Sequence, residues 1–128
     1  MIVVVAAVIR RGESVLLCQR PQGGHLAGRW EFPGGKLERG ESPERALERE
    51  LSEELGVTAR AGQILCALPT VHPDGREIML LFYETAILTG EPQPIEEAQV
   101  RYVPLNELED YDLCDADGDF AERCLIGR

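Results

Sequence analysis

The sequence predicts an α+β fold, a mixed β-sheet sandwiched by helices, in one domain covering residues 1–128. Three observations carry that expectation. The chain is 128 residues long, with 44% hydrophobic and 28% charged residues, which suits one globular domain with a proper core. β-rich runs stand both before and after a single central segment of strong helical periodicity. Neither an internal repeat nor a low-complexity linker divides the chain.

The elements follow in order. Ile2 to Ile9 and Ser14 to Gln19 are β-rich runs, and Arg10-Arg11-Gly12-Glu13 between them is spaced for a hairpin. Pro21-Gln22-Gly23-Gly24 opens an irregular loop, and a short run follows from Arg29 to Phe32. Pro33-Gly34-Gly35 is expected as a loop in which glycine lets the backbone approach another group closely. Ser42-Pro43 supplies a capping oxygen and a first-turn proline, and Gly56 fits the residue after a helix end, which predicts a helix from there to Leu55. Ala59 to Leu68 and Arg76 to Leu88 read as strands joined at Asp74-Gly75, and Gln99 to Val103 as another strand. Leu105 to Glu109 reads as a short helical turn, and Gly118 to Ile126 as a closing helix.

Charge and cysteine usage exclude several classes. Thirteen Lys and Arg against twenty-three Asp and Glu give a net charge of −10, which disfavours any grip on a nucleic acid polymer. The apolar opening run is too short to span a bilayer and has no basic region ahead of it, so neither a membrane span nor a secretory leader is expected. Cys18, Cys66, Cys114 and Cys124 contain no Cys-x-x-Cys pair, which points to reduced, packed thiols and a cytoplasmic location rather than to disulfides or structural zinc.

The chemistry concentrates on the central helix. Leu47, Leu51 and Leu55 fall on one stripe, the face expected to pack on the sheet. Glu50, Glu53 and Glu54 share a second face, where like charges at these spacings repel by a few tenths of a kcal/mol each. Such a face is either a solvated acidic surface or a site for a hard cation such as Mg²⁺ or Mn²⁺.

The surrounding pattern bears on that choice. Gly35, Glu41, Arg49, Glu50, Leu51, Glu53, Glu54, Gly56 and Val57 stand at the spacing Gly-x5-Glu-x7-Arg-Glu-U-x-Glu-Glu-x-Gly-U, with U aliphatic, which resembles the Nudix box at every specified position. Trp30-Glu31-Phe32-Pro33-Gly34-Gly35-Lys36 resembles the lead-in of the MutT-type branch, which hydrolyses nucleoside triphosphates. The resemblance implies an α/β/α sandwich and a Mg²⁺-dependent (Mn²⁺ is the alternative) hydrolase. That enzyme converts nucleoside triphosphates to monophosphate and pyrophosphate and clears oxidised or non-standard dNTPs such as 8-oxo-dGTP. Alternatives are a (d)CTP or modified-pyrimidine diphosphatase, an ADP-ribose or dinucleotide hydrolase, and a nucleotide-binding domain without chemistry. The partner is then a nucleotide rather than a polymer or membrane, and the state a monomer or homodimer.

Residue roles carry over only as implied by the resemblance. Glu53 and Glu54 look like the principal metal ligands, with the Gly34 carbonyl as a further ligand. Glu50 looks like a ligand or the base that deprotonates the attacking water, and Glu41 with Arg49 like an ion pair that orients the carboxylates. Glu96, six residues ahead of Tyr102, is the expected carboxylate from outside the box, with Glu97 as its nearest rival. Arg20, His25, Phe32, Arg76 and Asp117 match substrate-contacting positions. Asp117 stands where an oxidised-guanine-specific member carries asparagine; the branch that prefers (d)CTP has Ala-Asp here. Ionised, it accepts a hydrogen bond from an amino group such as cytosine N4; protonated in a buried pocket, it donates to a purine carbonyl.

Overall fold

The computed structural model describes residues 1–126. Seven strands form the sheet: β1 (Ile2–Arg11), β2 (Ser14–Gln19), β3 (Trp30–Glu31), β4 (Gly34–Lys36), β5 (Thr58–Val71), β6 (Glu77–Thr89) and β7 (Gln99–Pro104). Helix α1 (Pro43–Leu55) follows β4, and a 3₁₀ turn over Leu105–Asp110 leads towards α2 (Asp115–Phe120). Its last turn widens to π geometry over Ala121–Leu125.

The sheet is mixed, in the order β3-β2-β1-β6-β5, with β4 added on β1 and β7 on β2. β1 runs parallel to β6 from Ile2↔Ile78 to Ile9↔Thr85. Its other edge is shared, antiparallel in both cases: β4 takes Val4 to Ala6, and β2 takes Arg10 and Arg11. Because β1 and β2 are covered on both faces, they read as continuous apolar runs rather than alternating ones. Ala6, Val8, Val15 and Leu17 pack into one core with Leu68, Phe82, Val103 and Phe120. Val5, Ala7, Ile9, Leu16 and Cys18 point the other way, into a second core with Leu47, Leu51, Leu55 and Val57. The helices therefore sit on opposite faces, and the sandwich expected from the sequence is the architecture observed.

Helix α1 begins as its sequence dictates. Ser42 Oγ accepts from the Arg45 N–H at 3.2 Å, Pro43 opens the first turn, and Gly56 closes the helix in the left-handed region at φ 70°. Two segments depart from expectation. Gly34–Lys36 is a strand rather than a loop, because an added Cβ on Gly34 would lie 1.9 Å from the Val5 carbonyl oxygen and only glycine admits that pairing. The closing helix starts at Asp115, three residues ahead of Gly118, with the Gly118 N–H bonded to the Cys114 carbonyl at 2.9 Å. Gly118 thus lies inside the helix instead of preceding it. What anchors the early start is the buried Asp117, whose Oδ2 accepts from the Phe32 N–H at 2.9 Å.

Candidate functional site

An open cleft of about 800 Å³ runs between the β4–α1 side of the sheet, the 20–29 loop, the β5–β6 turn and the start of α2. Arg20, His25, Phe32, Gly34, Gly35, Glu50, Glu54, Glu96 and Asp117, all expected from the sequence, line it.

One end is acidic. The Glu50 side chain lies where a Cβ on Gly35 would be, 2.3 Å from its carboxyl carbon, so the absent side chain at 35 is what lets this carboxylate stand against β4. Glu54 lies one turn further along α1, and Glu97 hydrogen-bonds to it. Burial first, then the charges of Glu97 and Glu50, push the Glu54 carboxyl up to about 9. Burial likewise raises Glu50 and Glu97. Glu97, not Glu96, is thus the carboxylate in contact with Glu54, while Glu96 is exposed on the same wall.

Arg49 organises the neighbouring surface. Its Nε and Nη2 donate to the two Glu41 oxygens at 2.7 and 3.0 Å, and Nη2 also reaches the Lys36 carbonyl at 3.2 Å. Its Nη1 donates to Glu50 at 3.0 Å and to Glu53 at 3.3 Å. The guanidinium therefore ties the loop after β4 to the helix while drawing two of the box glutamates towards itself. Glu53 is half exposed and lies outside the cleft lining. Among the described residues no three Asp, Glu, His or Cys side chains converge into a ready cage. The donor set nevertheless suits a hard divalent cation: it is all oxygen, and Glu50, Glu54 and Glu97 are partly desolvated.

The other end is apolar and closes on Asp117. Phe32 meets Phe120 and Phe82 edge-on at centroid distances of 5.5 and 6.0 Å, and those two rings stack at 3.9 Å. This aromatic wedge seats the Phe32 backbone against α2. Burial, then the Glu31 charge, pushes the Asp117 carboxyl up to about 7. Arg20 is held at 3.0 Å by Glu31, and its Nε donates to the His25 carbonyl at 2.9 Å. Arg76 requires correction: expected on a central strand as a substrate contact, it stands in the β5–β6 turn, outside the cleft lining. Its Nε is bound 2.6 Å from Asp74, because β6 begins only at Glu77. His72 and Pro73 of that turn do line the cleft, and the only sequence signal of His72 is its place beside the Asp74-Gly75 turn.

All four cysteines are free, and no helix among the described residues is long and apolar enough to cross a membrane.

Known proteins are similar to this chain. The NUDIX domain model matches residues 1–124. The chain is 40% identical over 117 residues to the CTP pyrophosphohydrolase of Escherichia coli (strain K12), covering 91% of this chain and 86% of that one. It is 38% identical over 122 residues to the putative 8-oxo-dGTP diphosphatase 2 of Mycobacterium tuberculosis (strain ATCC 25618 / H37Rv), covering 90% and 82% of the two chains. Among solved structures, the MutT NUDIX hydrolase from Burkholderia pseudomallei superposes with a TM-score of 0.82 at 29% identity, over 94% of this chain and 95% of that one. With Glu50 and Glu54 on α1 facing a cleft floored by β1 and β4, and a family model spanning nearly its whole length, the chain belongs to the NUDIX family.

Proposed function

We propose that the protein hydrolyses (deoxy)nucleoside triphosphates to the monophosphate and pyrophosphate, with Mg²⁺ as cofactor, acting on oxidised or non-standard nucleotides such as 8-oxo-dGTP. The observation that carries the reading is the two-ended cleft. Desolvated carboxylates from α1 and the 96–97 segment crowd one end, and an aromatic-backed pocket ending in Asp117 forms the other. A nucleoside triphosphate has the same two ends, a polyanion and a flat base.

A divalent metal, when bound, supplies the positive charge that lets phosphate oxygens approach an acidic wall. Glu53, Glu54 and the Gly34 carbonyl would hold it, with Glu96 or Glu97 adding a carboxylate from outside the helix. Water forms the new P–O bond, the anhydride P–O bond breaks, and pyrophosphate leaves with that bond's electron pair. The water proton goes to a carboxylate, for which Glu50 is placed against Gly35. Arg49 is a positioning residue that holds Glu41 and Glu50. Arg20, His25 and Phe32 contact the nucleotide.

A second reading, a preference for cytosine nucleotides, is favoured by Asp117 and by the similarity to the CTP pyrophosphohydrolase. One Asp117 oxygen already accepts from Phe32, so the ionised side chain offers its other oxygen to an exocyclic amino group. The deciding experiment is pyrophosphate release in Mg²⁺ from 8-oxo-dGTP, dGTP, dCTP, 5-methyl-dCTP and ADP-ribose, with Glu53→Gln as the blank. A dominant kcat/KM for 8-oxo-dGTP supports the first reading, and one for the cytosine nucleotides the second. No turnover of any triphosphate overturns both.

A further inference from the structure

The chain has two histidines, and the fold brings them together from segments that are remote in sequence. His25 comes from the loop after β2 and His72 from the β5–β6 turn; their rings lie 5.7 Å apart, tilted by 42°, and both line the cleft. Two imidazoles that share one tetrahedral ion at metal–nitrogen distances of about 2.0–2.1 Å have centroids roughly 5–6 Å apart.

His72 is also held in place, by Asp74. Its Nδ1 lies 3.1 Å from Asp74 Oδ1, and Asp74 is itself fixed by the Arg76 backbone N–H at 2.9 Å and by Arg76 Nε at 2.6 Å. The Asp74 backbone N–H donates to the same Nδ1 at 3.2 Å, so Asp74 fixes the orientation of the ring through both its amide and its carboxylate. Imidazole nitrogen is a borderline-soft donor that selects Zn²⁺, Cu²⁺ or Ni²⁺ over Mg²⁺, whereas the oxygen donors on α1 do the reverse.

We propose that His25 and His72 form a second metal site of this cleft, a two-imidazole bridge for a divalent transition metal, with Asp74 orienting His72. Water completes the coordination, since only two protein donors are present. Zinc there joins the two loops across the cleft and obstructs it, so Zn²⁺ opposes any ligand that enters. The inference does not depend on which nucleotide is cleaved.

The test is Zn²⁺ titration by calorimetry with millimolar Mg²⁺ present to occupy the carboxylates. The expected result is one zinc per chain, bound about tenfold or more weakly by His25→Ala and by His72→Ala, and more weakly by Asp74→Asn. Glu54→Gln, Cys66→Ser and Cys124→Ser keep wild-type affinity. A second measurement needs no variant: in ¹⁵N spectra of the imidazoles, zinc shifts both histidines of the wild-type protein together. Unchanged zinc affinity in either histidine variant, loss of zinc in Glu54→Gln or the cysteine variants, or a zinc-induced shift confined to one ring overturns the proposal.

Discussion

Glu54 answers to two opposed requirements. A carboxylate that is to hold a cation must face other carboxylates, and in the metal-free protein that company raises its proton affinity and strains the native state. Glu54→Gln removes the repulsion and leaves an amide that can still hydrogen-bond to Glu97. The expected outcome is a split: kcat/KM falls by about two orders of magnitude, roughly 3 kcal/mol of transition-state stabilisation, while Tm in EDTA rises. Steady-state kinetics and thermal unfolding on the same preparation check it; a variant that loses activity and Tm together would show that Glu54 is structural. Arg49 is the converse case, a cation spent on position. Its fork makes two parallel bonds to Glu41 that an ammonium cannot reproduce. Arg49→Lys is therefore expected to lower kcat by about tenfold with KM little changed, although the charge is kept. An equal loss in KM alone would assign Arg49 to substrate binding.

At the scale of elements, adjacent glycines in β4 do different jobs. An alanine at 34 drives its Cβ into the Val5 backbone, which cannot move without breaking β1, whereas an alanine at 35 meets the end of the flexible Glu50 side chain. Gly34→Ala is expected to destabilise the protein by about 2 kcal/mol or more, read by urea unfolding, and Gly35→Ala to leave stability nearly unchanged but cut turnover by displacing Glu50. Similar stability losses in both variants would refute the distinction. These glycines also mark where the sequence stops being readable. Helix α1 was legible because its cap, proline, leucine stripe and closing glycine all agree, and the box glutamates came with it. β4 was not, since Gly-Gly-Lys has no strand signature and its pairing is dictated by β1, some thirty residues away. The start of α2 was misplaced for a related reason: the force that sets it is a hydrogen bond from Phe32 to Asp117 across the core, invisible to local pattern. The cleft wall carrying His72 depends on the long β5–β6 pairing and its bulges, so no spacing rule places His72 rather than Arg76 at the cleft.

At the scale of the whole molecule, the chain's acidity and its buried acids act together. Asp117 is 6% exposed and its carboxyl is raised from 3.8 to about 7 in the native state. Between these values the unfolded chain has released a proton that the native protein keeps. The contribution is therefore complete below about pH 4 and is lost as the pH rises towards 7, at no more than about 1.4 kcal/mol per pH unit. Glu31, Glu50, Glu54 and Glu97 are shifted in the same direction, so the metal-free protein loses stability across this range. Asparagine at 117 does not titrate and still accepts from Phe32. Asp117→Asn should accordingly gain on the wild type from pH 5 to pH 8, measured as the difference in unfolding free energy in urea with EDTA. Mg²⁺ should flatten the slope of both proteins, because it neutralises the α1 carboxylates, and leave the difference between them, because Asp117 lies at the other end of the cleft. A pH-independent difference would mean that Asp117 is ionised throughout and reads a base only as an acceptor. A difference abolished by Mg²⁺ would mean that the two ends of the cleft titrate as one unit.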